Sequence, residues 1–253
     1  MKCFSYVRRL LTNKKISRDP KKVLSLSLHG RDADSMFGAI RNLQLHRIFL
    51  ADWTVRVYLL QAASGASSAR SVGKPLLDKL TSLGAEIVYL NSSFSAIDPR
   101  LWRYLALDDS RVEHVLIRDV KHRLSEPLDL MTKHWLRSKQ PFLCVTSDGD
   151  GATPGASRLI DGLTGFRRAD VSRALGTSVE RLLLTRSLTL SEFLDDVLWP
   201  VFKQNAACYS NDMNDRRWAH PGASPADRRD VRFDTAFNQF DVAMTNVSSS
   251  RQN

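Results

Sequence analysis

The chain has 253 residues, 43% of them hydrophobic, with 11 Phe, 5 Trp and a net charge of +10. That composition excludes a disordered or fibrous protein, and the length allows one large α/β domain or two small ones, with a core that needs no staples. The charge alone suggests a nucleic-acid binder, but residues 1–22 hold eight bases against the single acid Asp19, so +7 lies on a 22-residue arm and only +3 on the other 231 residues.

The arm reads as a solvated tail or as a contact to anionic lipid or nucleic acid. Its apolar residues Phe4, Tyr6, Val7, Leu10 and Leu11 would fall largely on one side of a helix, as in an interfacial helix. No apolar run approaches the ~20 residues that span a bilayer, and the stretch from Met1 to Leu11 is too interrupted for a signal sequence. The cysteines Cys3, Cys144 and Cys208 are odd in number, widely spaced and without CxxC or Cys/His ligand spacing. This argues against a structural zinc and for a reducing compartment, hence a cytoplasmic protein, peripheral at a membrane face where the arm makes the lipid contact.

From Val23 onward, strand-like and helix-like segments alternate. Residues 23–28 (VLSLSL) form a β-rich run closed by His29 and Gly30, and helical spacing follows over 36–49. Residues 54–60 (TVRVYLL) give a second strand, 75–83 a helix with Pro in its first turn, and 85–90 (AEIVYL) a third strand. Residues 99–107 read as a helix and 112–117 (VEHVLI) as a fourth strand ending at Arg118 and Asp119. A helix capped by Ser125 runs to Ser138, residues 141–145 form a fifth strand, and 146–155 (TSDGDGATPG) a Gly-rich acidic loop. An amphipathic stretch over 187–202 ends at Trp199 and Pro200. This order predicts an open, largely parallel sheet with its ligand site beyond the strand C-terminal ends.

Four groups of residues offer chemistry. Asp32 and Asp34 form a DxD pair that could chelate a hard cation, but before a helix, capping by Asp34 or Ser35 is the simpler reading. Asp119 ends a central strand among Arg118, Lys121, His122 and Arg123, an arrangement suited to an anionic ligand or equally to a capped helix with exposed bases. Asp148 and Asp150, with Asp161 and Gly162 beyond, read on their own as acidic surface turns. The six histidines contain no HxxxH pair. The common nucleotide and hydrolase signatures GxGxxG, P-loop, GxSxG and HExxH are absent from the sequence, and the body carries no recognisable nucleic-acid-binding motif.

Taken together, the blocks SLSLHGRDADSMFGAIRN, DWTVRVYL, LWRYLALDDSRVEHVLIRDVKHRLS with HWLRSKQPF, and EFLDDVLWPVF resemble a family of GT-A-like glycosyltransferases. The likeness runs in order from Val23 to Phe202. It implies a GT-A-like (Rossmann-like) α/β domain with a central, mostly parallel sheet flanked by helices, here over 23–245 between the arm and a disordered tail at 246–253. It also implies a nucleotide-sugar donor and a glycan or other hydroxyl acceptor. Carried onto this sequence, Ser27, His29 and Gly30 would lie beside the nucleotide, Arg118 and Asp119 at the diphosphate and metal, and Asp161, Gly162 and Gly165 in an acceptor turn. Asp148, Asp150 or Asp161 would serve as general base in an inverting reaction.

The chain departs from the family pattern where chemistry is expected. The family's RDxDS is Arg118-Asp119-Val120-Lys121-His122 here, so Lys121 stands in place of the second metal carboxylate. Mn²⁺ or Mg²⁺ would then bind Asp119 weakly or not at all. Lys121 itself would stabilise the diphosphate leaving group in an active enzyme. Alternatively, the fold survives as a catalytically inactive binding module whose arm contacts a membrane or an anionic polymer.

Overall fold

The computed structural model describes residues 8–10, 21–29, 32–61, 72–147 and 158–210. By internal contact the chain divides into one unit of residues 1–144 with 159–208 and a second of 145–158 with 209–253. Gly30, Asp148, Asp150 and the tail lie outside the described residues.

The sheet contains β1 (Arg8–Leu10), β2 (Lys21–Ser27), β3 (Thr54–Leu60), β4 (Glu86–Leu90), β5 (Val112–Arg118), β6 (Phe142–Ser147), β7 (Arg158–Arg167) and β8 (Ala206–Ser210), in the order β1-β4-β3-β2-β5-β7-β6-β8. Its centre, β4-β3-β2-β5, is parallel throughout. These four strands are covered on both faces, which is why they read as near-continuous apolar runs and not as alternating patterns. Helices α1 (Ala33–Phe49), α2 (Lys74–Ser82) and α3 (Glu126–Arg137) lie on one face. Leu116 meets Trp135 of α3 there, around Gly165, where an added Cβ would come within 3.0 Å of Leu116 and 3.3 Å of Trp135.

Along a strand successive side chains point to opposite faces, so Ile117 and Val115 turn the other way. They pack with Val23 and Val88 against a 3-10 helix, Pro99–Asp108, backed by α4 (Arg168–Leu175), α5 (Val179–Thr185) and a helical segment over 190–202. The 3-10 helix is ten residues long, unusual for a conformation normally limited to one turn. With three residues per turn it aligns Leu101, Tyr104 and Leu107 in one buried row, and Trp102, Arg103 and Ala106 are buried as well. Ser25, a hydroxyl inside the central strand, is satisfied by donating to the Arg103 carbonyl at 2.6 Å.

Several sequence-based expectations change. Three arm residues form a strand, not a helix: Arg8–Leu10 pair antiparallel with Tyr89, Val88 and Ile87. Lys21 and Lys22, counted with the arm, belong to β2. Lys21 pairs with Glu86 at 2.8 Å, and Lys22 pairs with Asp52. Asp32, not Asp34 or Ser35, caps α1, accepting the Ser35 amide at 2.8 Å. The segment over 190–202 opens with a Thr189–Glu192 capping box and contains a π-helical turn, Phe193–Leu198. The expected turn around Asp161 is part of β7, which inserts antiparallel beside β5 and makes the sheet mixed. Cys144 and Cys208 are not free thiols but form a disulfide, their Cα atoms 4.5 Å apart. Sequence spacing could not reveal it, because sheet order brings together residues 64 apart.

Candidate functional site

The chain order reverses at β2, whose two neighbours are β3 and β5. In open α/β sheets the crevice beyond the strand C-termini at such a switch point is where ligands bind. Ser27 and His29 leave β2 into this crevice, and Asp119 follows the last residue of β5.

The backbone after β5 is tightly held. Asp119 Oδ1 accepts the Lys121 amide at 2.9 Å, and the Asp119 carbonyl accepts the His122 amide at 3.1 Å. From α1, Asn42 Nδ2 donates to the Val120 and His122 carbonyls at 3.0 and 3.1 Å, while its Oδ1 accepts the Leu124 amide at 3.0 Å. One helix turn earlier, a Cβ on Gly38 would stand 2.3 Å from the Val120 carbonyl oxygen, so only glycine lets α1 approach this closely.

Beneath the crevice lies Arg103, fully buried in the 3-10 helix. Its Nη1 donates to Asp119 Oδ2 and to the Arg118 carbonyl, both at 3.1 Å, and its Nη2 donates to Asp161 Oδ1. Two carboxylates from antiparallel neighbours β5 and β7 are thus held by one guanidinium. Gly162 makes this possible. Its φ is +72°, and a Cβ there would stand 2.5 Å from the Asp119 amide nitrogen. Burial alone would raise the Asp119 pKa, but the Lys121 amide and Arg103 outweigh it and hold the carboxyl below its ordinary value. Burial lowers the His29 pKa despite the carboxylates of Asp119, Asp98 and Asp32, which keeps the ring neutral at pH 7.

Of the sequence-predicted residues, Ser27, His29, Asp119, Lys121 and Asp161 converge here. Lys121 is mostly exposed, with Nζ 3.8 Å from Asp32 Oδ1, which brings the DxD segment to the same rim. Arg118 does not line the crevice. Its side chain is enclosed, Nη2 donating to the Arg123 carbonyl at 3.2 Å, and burial beside Arg103 pushes its pKa down to about 9. Strand alternation explains this, because Arg118 and Asp119 point to opposite faces. Arg103 is the site residue that the sequence did not single out. Its only signal was a charge inside an otherwise apolar, buried helix, LWRYLAL. Arg100 and Asp98, paired at 2.7 Å, were also missed at the rim.

The residues present do not suit a divalent cation. Asp119 and Asp161 share the Arg103 guanidinium, which offsets their charge, and the next side chain toward the crevice is the cationic Lys121. Among the described residues no group of three or more His, Cys, Asp or Glu is arranged to hold a metal. No described helix is long and apolar enough to cross a membrane.

No known family profile matches the sequence, and no curated protein matches it. Among solved structures, 4-diphosphocytidyl-2C-methyl-D-erythritol synthase from Anaerococcus prevotii matches at 14% identity over 76% of this chain and 87% of that one, with a TM-score of 0.50. The likeness shows the fold. It is a GT-A-like α/β arrangement, as the sequence blocks implied. Weaker matches include an active-site mutant of LgtC, at 12% identity over 76% of this chain and 73% of that one, TM-score 0.46. S. aureus TarS 1–349 matches at 11% identity over 76% of this chain, TM-score 0.44, and the chain spans 58% of that length.

Proposed function

We propose that the chain is a GT-A-like transferase that takes a nucleotide-sugar donor in the β2/β5 crevice and passes the sugar to a glycan or other hydroxyl acceptor, with little or no dependence on a divalent cation. The observation that carries this reading is the Asp119–Arg103–Asp161 bridge at the switch point with Lys121 at its rim. Asp119, ionised by its hydrogen bonds, accepts from donor hydroxyls. Lys121 extends its ammonium over the crevice and stabilises charge on the departing diphosphate, the task a metal performs elsewhere. Neutral His29 offers one donor and one acceptor to the nucleotide. Arg103 fixes Asp161 through Oδ1, leaving Oδ2 as the oxygen that takes the proton of the acceptor hydroxyl. Asp148 and Asp150 stand as alternative bases.

Calorimetric titration with UDP, GDP and CDP, with and without Mn²⁺, tests this. Saturable binding of at least one nucleotide is expected, with little change on adding Mn²⁺. Lys121→Ala should weaken it about ten-fold, the loss of one charge-assisted contact. No binding of any nucleotide would sink the reading. A second reading is favoured by Arg103, which neutralises both carboxylates: the chain binds nucleotide sugars without turnover. Nucleotide affinity with no sugar released from UDP-, GDP- or CMP-linked donors would select it.

A further inference from the structure

Five large apolar side chains are exposed among the described residues, and three of them stand on α1 and α3: Phe37 at 68%, Ile48 at 72% and Leu130 at 50%. They are not scattered. On α1, Phe37, Arg41, Gln44 and Ile48 follow one another at spacings of four, three and four residues, which is one helical stripe about 16 Å long. On α3, Leu130, Lys133 and Arg137 repeat the pattern, and all three are exposed. The two helices share a face of the sheet. They follow the neighbouring strands β2 and β5, and the turn that leads into α3 packs against Gly38 and Asn42 of α1. Both stripes point away from the sheet, so nothing in the fold requires them to be apolar.

We infer that this face docks on an anionic phospholipid bilayer. Apolar side chains interleaved with Arg41, Lys133 and Arg137 match an interface that offers hydrocarbon below and negative headgroups above. Acids on the two helices are confined to the first turns, at Asp34, Glu126 and Asp129, and Asp129 pairs with Lys133 at 2.7 Å, so Arg41 and Arg137 carry most of the positive charge of this face. Charge also selects against a second copy of this chain, since a two-fold contact would press this basic face, with Arg41 and Arg137, against an identical basic face. This surface includes none of residues 1–22 and is independent of the reading of the Asp119 crevice.

Vesicle co-sedimentation with the full chain, arm included, tests the inference on phosphatidylcholine vesicles and on vesicles enriched in phosphatidylglycerol. Wild type should partition onto the anionic vesicles. Phe37→Ser/Ile48→Ser, at positions too exposed to disturb the core, should lower that partition by about ten-fold or more. Arg41→Glu/Arg137→Glu should remove the preference for anionic over neutral vesicles. Wild-type-like binding by both double variants would overturn the inference and assign the contact to the arm. Absence of vesicle binding, or a dimer that Phe37→Ser/Ile48→Ser dissolves, would overturn it as well.

Discussion

Arg103 is the residue on which the site depends. A buried guanidinium is costly unless it is paired, and here two carboxylates and a carbonyl engage Nη1 and Nη2, while the buried Nε has no hydrogen-bond partner among the described residues. Replacing it with Met removes the cation and leaves Asp119 and Asp161 facing each other without compensation. We expect Arg103→Met to lose about 3 kcal/mol in urea unfolding at pH 7. The sign of the pH dependence follows from Asp119, whose native pKa lies below its unfolded value, so its contribution is present above that value and fades as the pH falls. The gap between wild type and Arg103→Met should therefore hold from pH 7 down to about pH 5 and narrow as the pH falls below the ordinary carboxyl value of 3.8. A constant gap would mean that Arg103 acts only by packing. The sequence displayed Asp119 and Lys121 openly, as charges at a strand end, but disguised Arg103 within an apolar run, because its partners lie 16 and 58 residues away.

At the level of elements, α1 does more than cover the sheet. Asn42 holds the turn bearing Lys121 through two donated bonds and one accepted bond, two of the three fully buried. Asn42→Asp keeps the size and the acceptor but turns both donors into acceptors aimed at carbonyls. The expected cost is about 2–3 kcal/mol, read as a lower urea midpoint, with nucleotide affinity falling too as the Lys121 turn loosens. An unchanged midpoint would show that the turn holds itself. The helical spacing over 36–49 announced α1, and the parallel strands announced themselves by their apolar runs. β7 did not, since Asp161, Gly162 and Gly165 carry turn residues into a strand. Their chemistry reflects the close approach of Asp119, Leu116 and Trp135, a tertiary demand with no local trace.

For the whole molecule, acid should be destabilising in two stages. Burial lowers the pKa values of His29 and His114 from 6.5, so as the pH falls the unfolded chain takes up these protons before the native one does. Stability is thus fully held above pH 6.5 and declines below it. Asp119 and Glu86, both lowered from their ordinary values, add a second decline near pH 4. Thermal melts should show the midpoint dropping between pH 7 and pH 5, and a flat profile there would contradict the burial of these rings. Glu86 belongs to a largely buried network in which Arg56 bonds Glu86 at 2.9 Å and Asp109 at 3.0 Å, joining β3 to β4 and to the C-terminal end of the 3-10 helix. Sequence alone determined the α/β class, the strand-to-helix rhythm from residue 23 to 138 and the placing of Asp119 at a strand end, because these follow from local periodicity and turn chemistry. Only the tertiary structure decided that β7 lies beside β5, that Cys144 meets Cys208, that Arg118 turns away from the crevice and that Arg103 joins two carboxylates beneath it. Sheet order and facing are set by packing between residues far apart in the chain, which no local pattern encodes.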